Sequence, residues 1–146
     1  MTKRNKSLFC VAGIACLLTA IIFTNTAMKK QSVISSMARA RYAVNIINGT
    51  ASQTNQIPQS LALELANKIE EGSSVMIFEE KSVCFGIILL FDGNMEPIVR
   101  LGVLNYPLFQ FNGIQQESQT QLEIQCDLVG ALGFSLQGYN PPAQGK

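Results

Sequence analysis

Between Lys6 and Lys29 the chain carries no charged side chain. The centre of that interval, Leu8 to Phe23, reads LFCVAGIACLLTAIIF and holds nothing more polar than Thr19. At 1.5 Å rise per residue, the run from Ser7 to Met28 covers roughly 33 Å as a helix, enough for a hydrocarbon core about 30 Å thick. A helix satisfies its own backbone there, so the run predicts a single transmembrane helix over 7–28, behind a short basic tail, 1–6. The competing reading is a secretory signal cleaved near Ala27, after which the remainder is a small secreted protein. The apolar run exceeds the usual length of such a signal, and Asn25 suits its cleavage site poorly.

Charge is divided along the chain. Residues 1–41 hold seven Lys/Arg and no acid, while residues 42–146 hold four bases and all ten acids, so a net +1 conceals +7 followed by −6. Charged residues make up 14% of the chain, well below the roughly 25% of an ordinary soluble domain. Lys29 and Lys30, just past the apolar run, are placed to meet anionic lipid headgroups. Bases flank the run on both sides, so the positive-inside bias nearly cancels. The expectation is a single-pass protein, with a bacterial inner membrane favoured and the C-terminal domain extracytoplasmic. Four bases around one aromatic, Tyr42, make a poor phosphate track, which argues against a nucleic-acid partner.

From Lys29 the sequence KKQSVISSMARARYAVNIIN has no Pro or Gly before Gly49. Val33, Met37, Ala40, Val44 and Ile47 alternate at spacings of four and three, which predicts an amphipathic stem helix over 29–50 capped by Gly49. Two readings of that seam stand side by side. It packs on the sheet of its own domain, or it meets copies of itself or a partner helix; two heptads do not decide between them. Asn48-Gly49-Thr50 matches the glycosylation acceptor pattern, a short match of low specificity.

Residues 51–58 read as a polar linker. A small domain over 59–137 follows, then a flexible tail, 138–146. Pro58 opens a helix over Gln59–Glu71 that Gly72 ends. Ser74–Phe78, Val83–Phe91, Pro97–Leu104 and Thr120–Val129 read as strands, with a last short element around Leu132–Leu136. Val83–Phe91 is apolar on both faces and is expected to be buried on both. In Thr120–Val129 the residues Leu122, Ile124, Cys126 and Leu128 point inward. The fold class is α+β: the transmembrane helix and its stem, a short helix, and a small, mostly antiparallel sheet of four or five strands. Cys84 and Cys126 both fall in predicted strands. They either form a disulfide, which requires neighbouring strands with facing Cβ atoms, or remain two buried thiols.

The chain contains no histidine. That removes imidazole acid–base work, Ser–His and Cys–His nucleophiles, and imidazole metal ligation. No CxxC, GxxxxGK[ST] or GxGxxG motif occurs, so neither a redox pair nor a nucleotide cradle is visible. Glu70-Glu71 and Glu79-Glu80 read as solvated turn or helix-end residues. Phe85, Phe91, Phe109 and Phe111 read as core. No cofactor, metal, small-molecule substrate or enzymatic activity is expected.

A hydrophobic N-terminal helix that runs into an amphipathic half and then a small antiparallel sheet resembles the layout of type IV pilins and pseudopilins. The chain departs from their motif: Lys6-Ser7-Leu8-Phe9 lacks the glycine before the cleavage point, and no acid precedes Glu64. The expected function is a structural or assembly subunit of a membrane-associated complex: a secretion machine, a pilin-like fibre or a membrane-containing virion. Its partners would be membrane lipid and other subunits, or copies of itself through the stem. An anchored sensory or ligand-binding module working with a membrane partner is the alternative.

Overall fold

A computed structural model describes residues 3–47, 49–75, 84–114 and 119–141, with side chains from Ile14 onward except those of Ile47 and Ser52. Helix α1 runs without a break from Lys3 to Arg39. The stem therefore ends about nine residues before the expected Asn48-Gly49 cap. Arg41 explains the stop. Its Nη1 donates to the carbonyls of Ala38 (3.2 Å) and Ala40 (2.7 Å), supplying the end of the helix with donors it would otherwise lack. The Arg41 backbone N–H meanwhile donates to Phe91 O at 2.8 Å, which commits the chain to a sheet.

Tyr42–Ile47 is therefore strand β1, and Thr50–Gln56, expected as a linker, is strand β2. The two pair antiparallel around Asn48-Gly49, with Gly49 at φ +79°, the left-handed conformation a tight hairpin turn demands. Helix α2 (Gln59–Glu71) comes next and stops at Gly72, as the sequence predicts. The remaining elements are β3 (Ser73–Ser74), β4 (Gly86–Phe91), β5 (Pro97–Val103), β6 (Leu108–Gly113), β7 (Gln119–Glu123) and the short α3 (Leu128–Ala131). Most of the expected strand Ser74–Phe78 and the start of Val83–Phe91 lie outside the described residues.

The described strands form one seven-stranded sheet, in the order β2-β1-β4-β5-β6-β7-β3, with every described pairing antiparallel. The class is α+β as expected, but the sheet is larger than four or five strands. Two elements account for the surplus: the β1–β2 hairpin, hidden under the helical seam, and β6, which the sequence reading left in a loop.

One face of the sheet carries the core. Ala43, Ile88, Leu90, Val99, Leu101, Val103, Phe109, Phe111 and Leu122 share it, and all are buried. The second half of α1 lies over them through Val33 and Met37, and α2 adds Ala62, Leu65, Ala66 and Ile69. The chain after β7 closes the same face with Leu128, Leu132, Phe134 and Leu136. Tyr139, assigned to the tail by sequence, is buried there too, with its ring centroid 6.5 Å from Phe85 and 6.4 Å from Phe109. Gly86 permits that closure, because a Cβ at this position would sit 2.8 Å from Leu136 Cδ1.

Among the described residues no helix lies on the opposite face. β1 and β4 contribute Tyr42, Val44, Ile46, Ile87, Leu89 and Phe91, while β5 to β7 contribute Arg100, Gln110, Asn112 and Gln119. β4 is thus covered on one face only. Ile88 and Leu90 are fully buried, and Ile87 and Leu89 are half-buried.

Candidate functional site

The two halves of α1 have opposite surroundings. From Val33 to Ala40 the helix buries Val33, Ser36, Met37 and Ala40 against its own domain. Val33, Met37 and Ala40 of the seam pack into the core of their own domain. Val44 does not continue it, because it sits on β1 on the sheet face away from the helices. Ile47 belongs to the same strand, and its side chain lies outside the described set.

From Ile14 to Met28 nearly every side chain is exposed. Ile14, Leu17, Leu18, Ile21, Ile22 and Phe23 range from 51% to 76% accessible, and Met28 is 71% accessible. At about 100° per residue six of these positions fall within an arc of about 140° and Phe23 lies opposite, while the exposed Ala15, Cys16, Ala20 and Ala27 occupy the remaining side, so uncharged surface surrounds the segment. A helix with one apolar face seeks one partner surface. A helix apolar all round seeks an apolar medium or several neighbours.

The threonine hydroxyls on this segment bond to their own helix. Thr19 Oγ1 donates to Ala15 O and Cys16 O (3.0 and 2.9 Å), Thr24 Oγ1 to Ala20 O and Ile21 O (both 3.0 Å), and Thr26 Oγ1 to Ile22 O (2.9 Å). Each hydroxyl is thereby satisfied by its own helix and requires no water. Among the described residues no helix is long and apolar enough to cross a membrane. The described side chains start at Ile14, and those of the expected span's first part, Ser7–Gly13, lie outside them.

Where the helix meets the domain, the two lysines part company. Lys30 Nζ donates to Glu70 O at 2.6 Å and to Gly72 O, neutralising the carbonyl end of α2. Its ammonium is therefore held by the protein. Lys29 lines an open groove of about 270 Å³ beside α1, together with Ser32, Ser36, Arg39, Asp92 and Glu96. The floor of that groove includes Val33, Val99 and Phe111.

Among the described residues Cys16, Cys84 and Cys126 are free. Cys84 Sγ lies on the uncovered face of the sheet, 4.0 Å from where a Cβ on Gly102 would stand. Cys126 packs against the core on the helix-covered side. A sheet therefore separates the two thiols; Leu122, Ile124, Cys126 and Leu128 do turn inward as expected, although β7 itself ends at Glu123. Burial pushes the Cys126 thiol up, opposed by Lys68 and aided by Asp127, Glu64 and Glu71.

Smaller hollows lie elsewhere on the surface. One of about 240 Å³ lies between Lys68, Glu71, Glu123 and Gln125, and one of about 250 Å³ lies on the uncovered face by Cys84, Arg100 and Gln110. Among the described residues no three His, Cys, Asp or Glu side chains gather where they could hold a metal ion. Phe109 and Phe111 are core, Phe85 packs on it and Phe91 faces the other way. Glu70 and Glu71 are exposed on the last turn of α2, and Glu79-Glu80 lie outside the described residues.

Comparison with protein-family models, with curated proteins and with solved structures finds no match for this chain.

Proposed function

We propose that the chain is a non-enzymatic structural or assembly subunit of a membrane-associated complex. In this reading the first half of α1 inserts into a lipid bilayer and the sheet domain stands outside it. The observation that carries the reading is the exposure of the apolar side chains of α1 from Ile14 to Met28, large ones on one broad face and Phe23 with small residues on the other. Burying such surface is worth about 25 cal/mol per Å². A domain that packs Met37 to 1% exposure and leaves Leu17, Ile21 and Phe23 bare on the same helix has somewhere else to put them.

The inward-bonded threonines support a bilayer over an aqueous setting, since a hydroxyl in hydrocarbon requires an internal acceptor. The apolar run begins at Leu8 in the sequence, so the exposed segment Ile14–Phe23 is its second part. Lys29, at the end of the run, lies where a headgroup phosphate would meet it.

The test is flotation of the full chain with phosphatidylcholine/phosphatidylglycerol vesicles, combined with carbonate extraction and native mass measurement from membranes. The expected result is carbonate-resistant flotation and recovery in a complex. A chain that stays in the supernatant overturns the anchor. A chain that floats but is recovered only as a monomer without a stoichiometric partner overturns the subunit role.

A further inference from the structure

The sheet ends in two unlike edges. On one side β3 contributes two described residues, Ser73–Ser74. On the other, β2 runs for seven residues, TASQTNQ, and among the described residues pairs only with β1. An open edge presents unpaired N–H and C=O groups, and proteins usually blunt it with charge, proline or brevity. β2 has none of these. Its one irregularity is a register shift opposite Asn45/Ile46. Apart from Ser52, whose side chain is not described, every residue from Gly49 to Gln56 is exposed except the half-buried Asn55.

The direction of the free groups follows from one hydrogen bond. Ile57 N–H donates to Arg41 O at 2.7 Å, on the β1 side. Backbone groups alternate along a strand, so those of Asn55 and Gln53 also face β1, and those of Thr54 and Gln56 face outward.

We propose that β2 pairs antiparallel with β2 of a second copy, about a two-fold axis, joining two seven-stranded sheets edge to edge. Charge selects a copy of the same chain as the occupant. From Tyr42 to Leu63 there is no charged residue, although residues 42–146 carry a net −6. The β1–β2 hairpin is therefore a place where two such domains can approach without opposing like charges. The Thr, Ser, Gln and Asn side chains along β2 donate and accept equally well, so the strand complements itself.

A seven-residue strand is only about 23 Å long. Pairing two of them buries less than the roughly 1,200 Å² of a stable interface. The contact therefore depends on confinement of both copies to one surface, which raises their effective concentration, and in this respect it rests on the anchoring proposed above.

The experiment uses the full chain with its four cysteines replaced by alanine, reconstituted in phosphatidylcholine/phosphatidylglycerol vesicles. Gln53→Cys is the reporter on β2 and Glu123→Cys the control near the other edge, both treated with a short bis-maleimide. The expected result is a covalent dimer from Gln53→Cys and monomer from Glu123→Cys. Adding Thr54→Pro, which removes an outward N–H without touching the β1 ladder, lowers the Gln53→Cys dimer by at least about tenfold. Its thermal unfolding, measured in parallel, stays that of the parent. Equal cross-linking at both reporters, no dimer from either, insensitivity to Thr54→Pro, or coupling of Gln53→Cys to a different protein overturns the pairing. Flotation of the same vesicles separates failure of the anchor from failure of the edge. If the chain does not float, the same cross-linking on the chain in solution decides, and monomer there overturns the pairing as well.

Discussion

Met28 and Met37 lie nine residues apart on one unbroken helix, one 71% accessible and the other 1%. The difference shows that the two halves of α1 have unlike surroundings. Its second half is a core element like any other, positioned by α2 and by the sheet. From Ile14 to Met28 its side chains have no partner among the described residues of the domain, although they are more apolar. Composition alone therefore does not locate the core of this chain; what packs is decided by where the helix meets the sheet.

The comparison can be broken most forcefully from the exposed half. Leu18→Asp together with Ile22→Asp places two carboxylates in the apolar segment, at about 2.5 to 3.5 kcal/mol each if that segment sits in hydrocarbon. Flotation should be lost while the domain unfolds at its original temperature. Unchanged flotation would mean that the segment lies elsewhere.

The buried half answers to a different measurement. Met37→Ala leaves a cavity under the sheet and should cost about 2 to 5 kcal/mol in urea unfolding. The matching change Met28→Ala should fall within about 0.5 kcal/mol. Similar losses from both would dissolve the distinction between the halves. At their junction, Lys30→Met removes the cation that meets the Glu70 and Gly72 carbonyls and should cost about 1 kcal/mol.

The two faces of the sheet allow a gentler contrast. Iodoacetamide should modify exposed Cys84 ahead of half-buried Cys126. Folding raises the Cys126 pKa, chiefly through burial, so the folded state disfavours its thiolate. The increment of stability this represents is intact below the ordinary thiol pKa and is lost as pH rises through the raised one. Cys126→Ala should flatten that alkaline decline in an unfolding series.

How far the sequence revealed this arrangement depended on which signals competed. α2 was legible to the residue, because Pro58 and Gly72 bracket an ordinary apolar stripe. β5 was legible through the alternation of Val99, Leu101 and Val103, and the β4–β5 turn through Asp92, whose Oδ1 accepts from Asn94 N (2.8 Å) and Glu96 N (3.0 Å). The β1–β2 hairpin was misread because Val33, Met37, Ala40, Val44 and Ile47 happen to keep a helical spacing across a helix-to-strand boundary. The stronger local signal was Tyr-Ala-Val-Asn-Ile-Ile followed by Asn-Gly, a β-prone run ahead of a hairpin turn. In β6, LFQFNG alternates too, but Pro107 and Asn112-Gly113 at its ends favoured a loop. The disulfide was undecidable from spacing, since it turned on which face of the sheet each thiol occupied.

One consequence concerns leverage. From Ile14 to Arg39 the helix has neither glycine nor proline, and so lacks the usual means of kinking. At 1.5 Å per residue that is a bar of about 39 Å, clamped to the domain by Met37 above and by Lys30 at the junction. A change of tilt at its apolar end would swing the whole domain as one body, and the outermost strand would travel with it. The angle at which the helix is held would then set where β2 points, and so whether two copies could present it to each other.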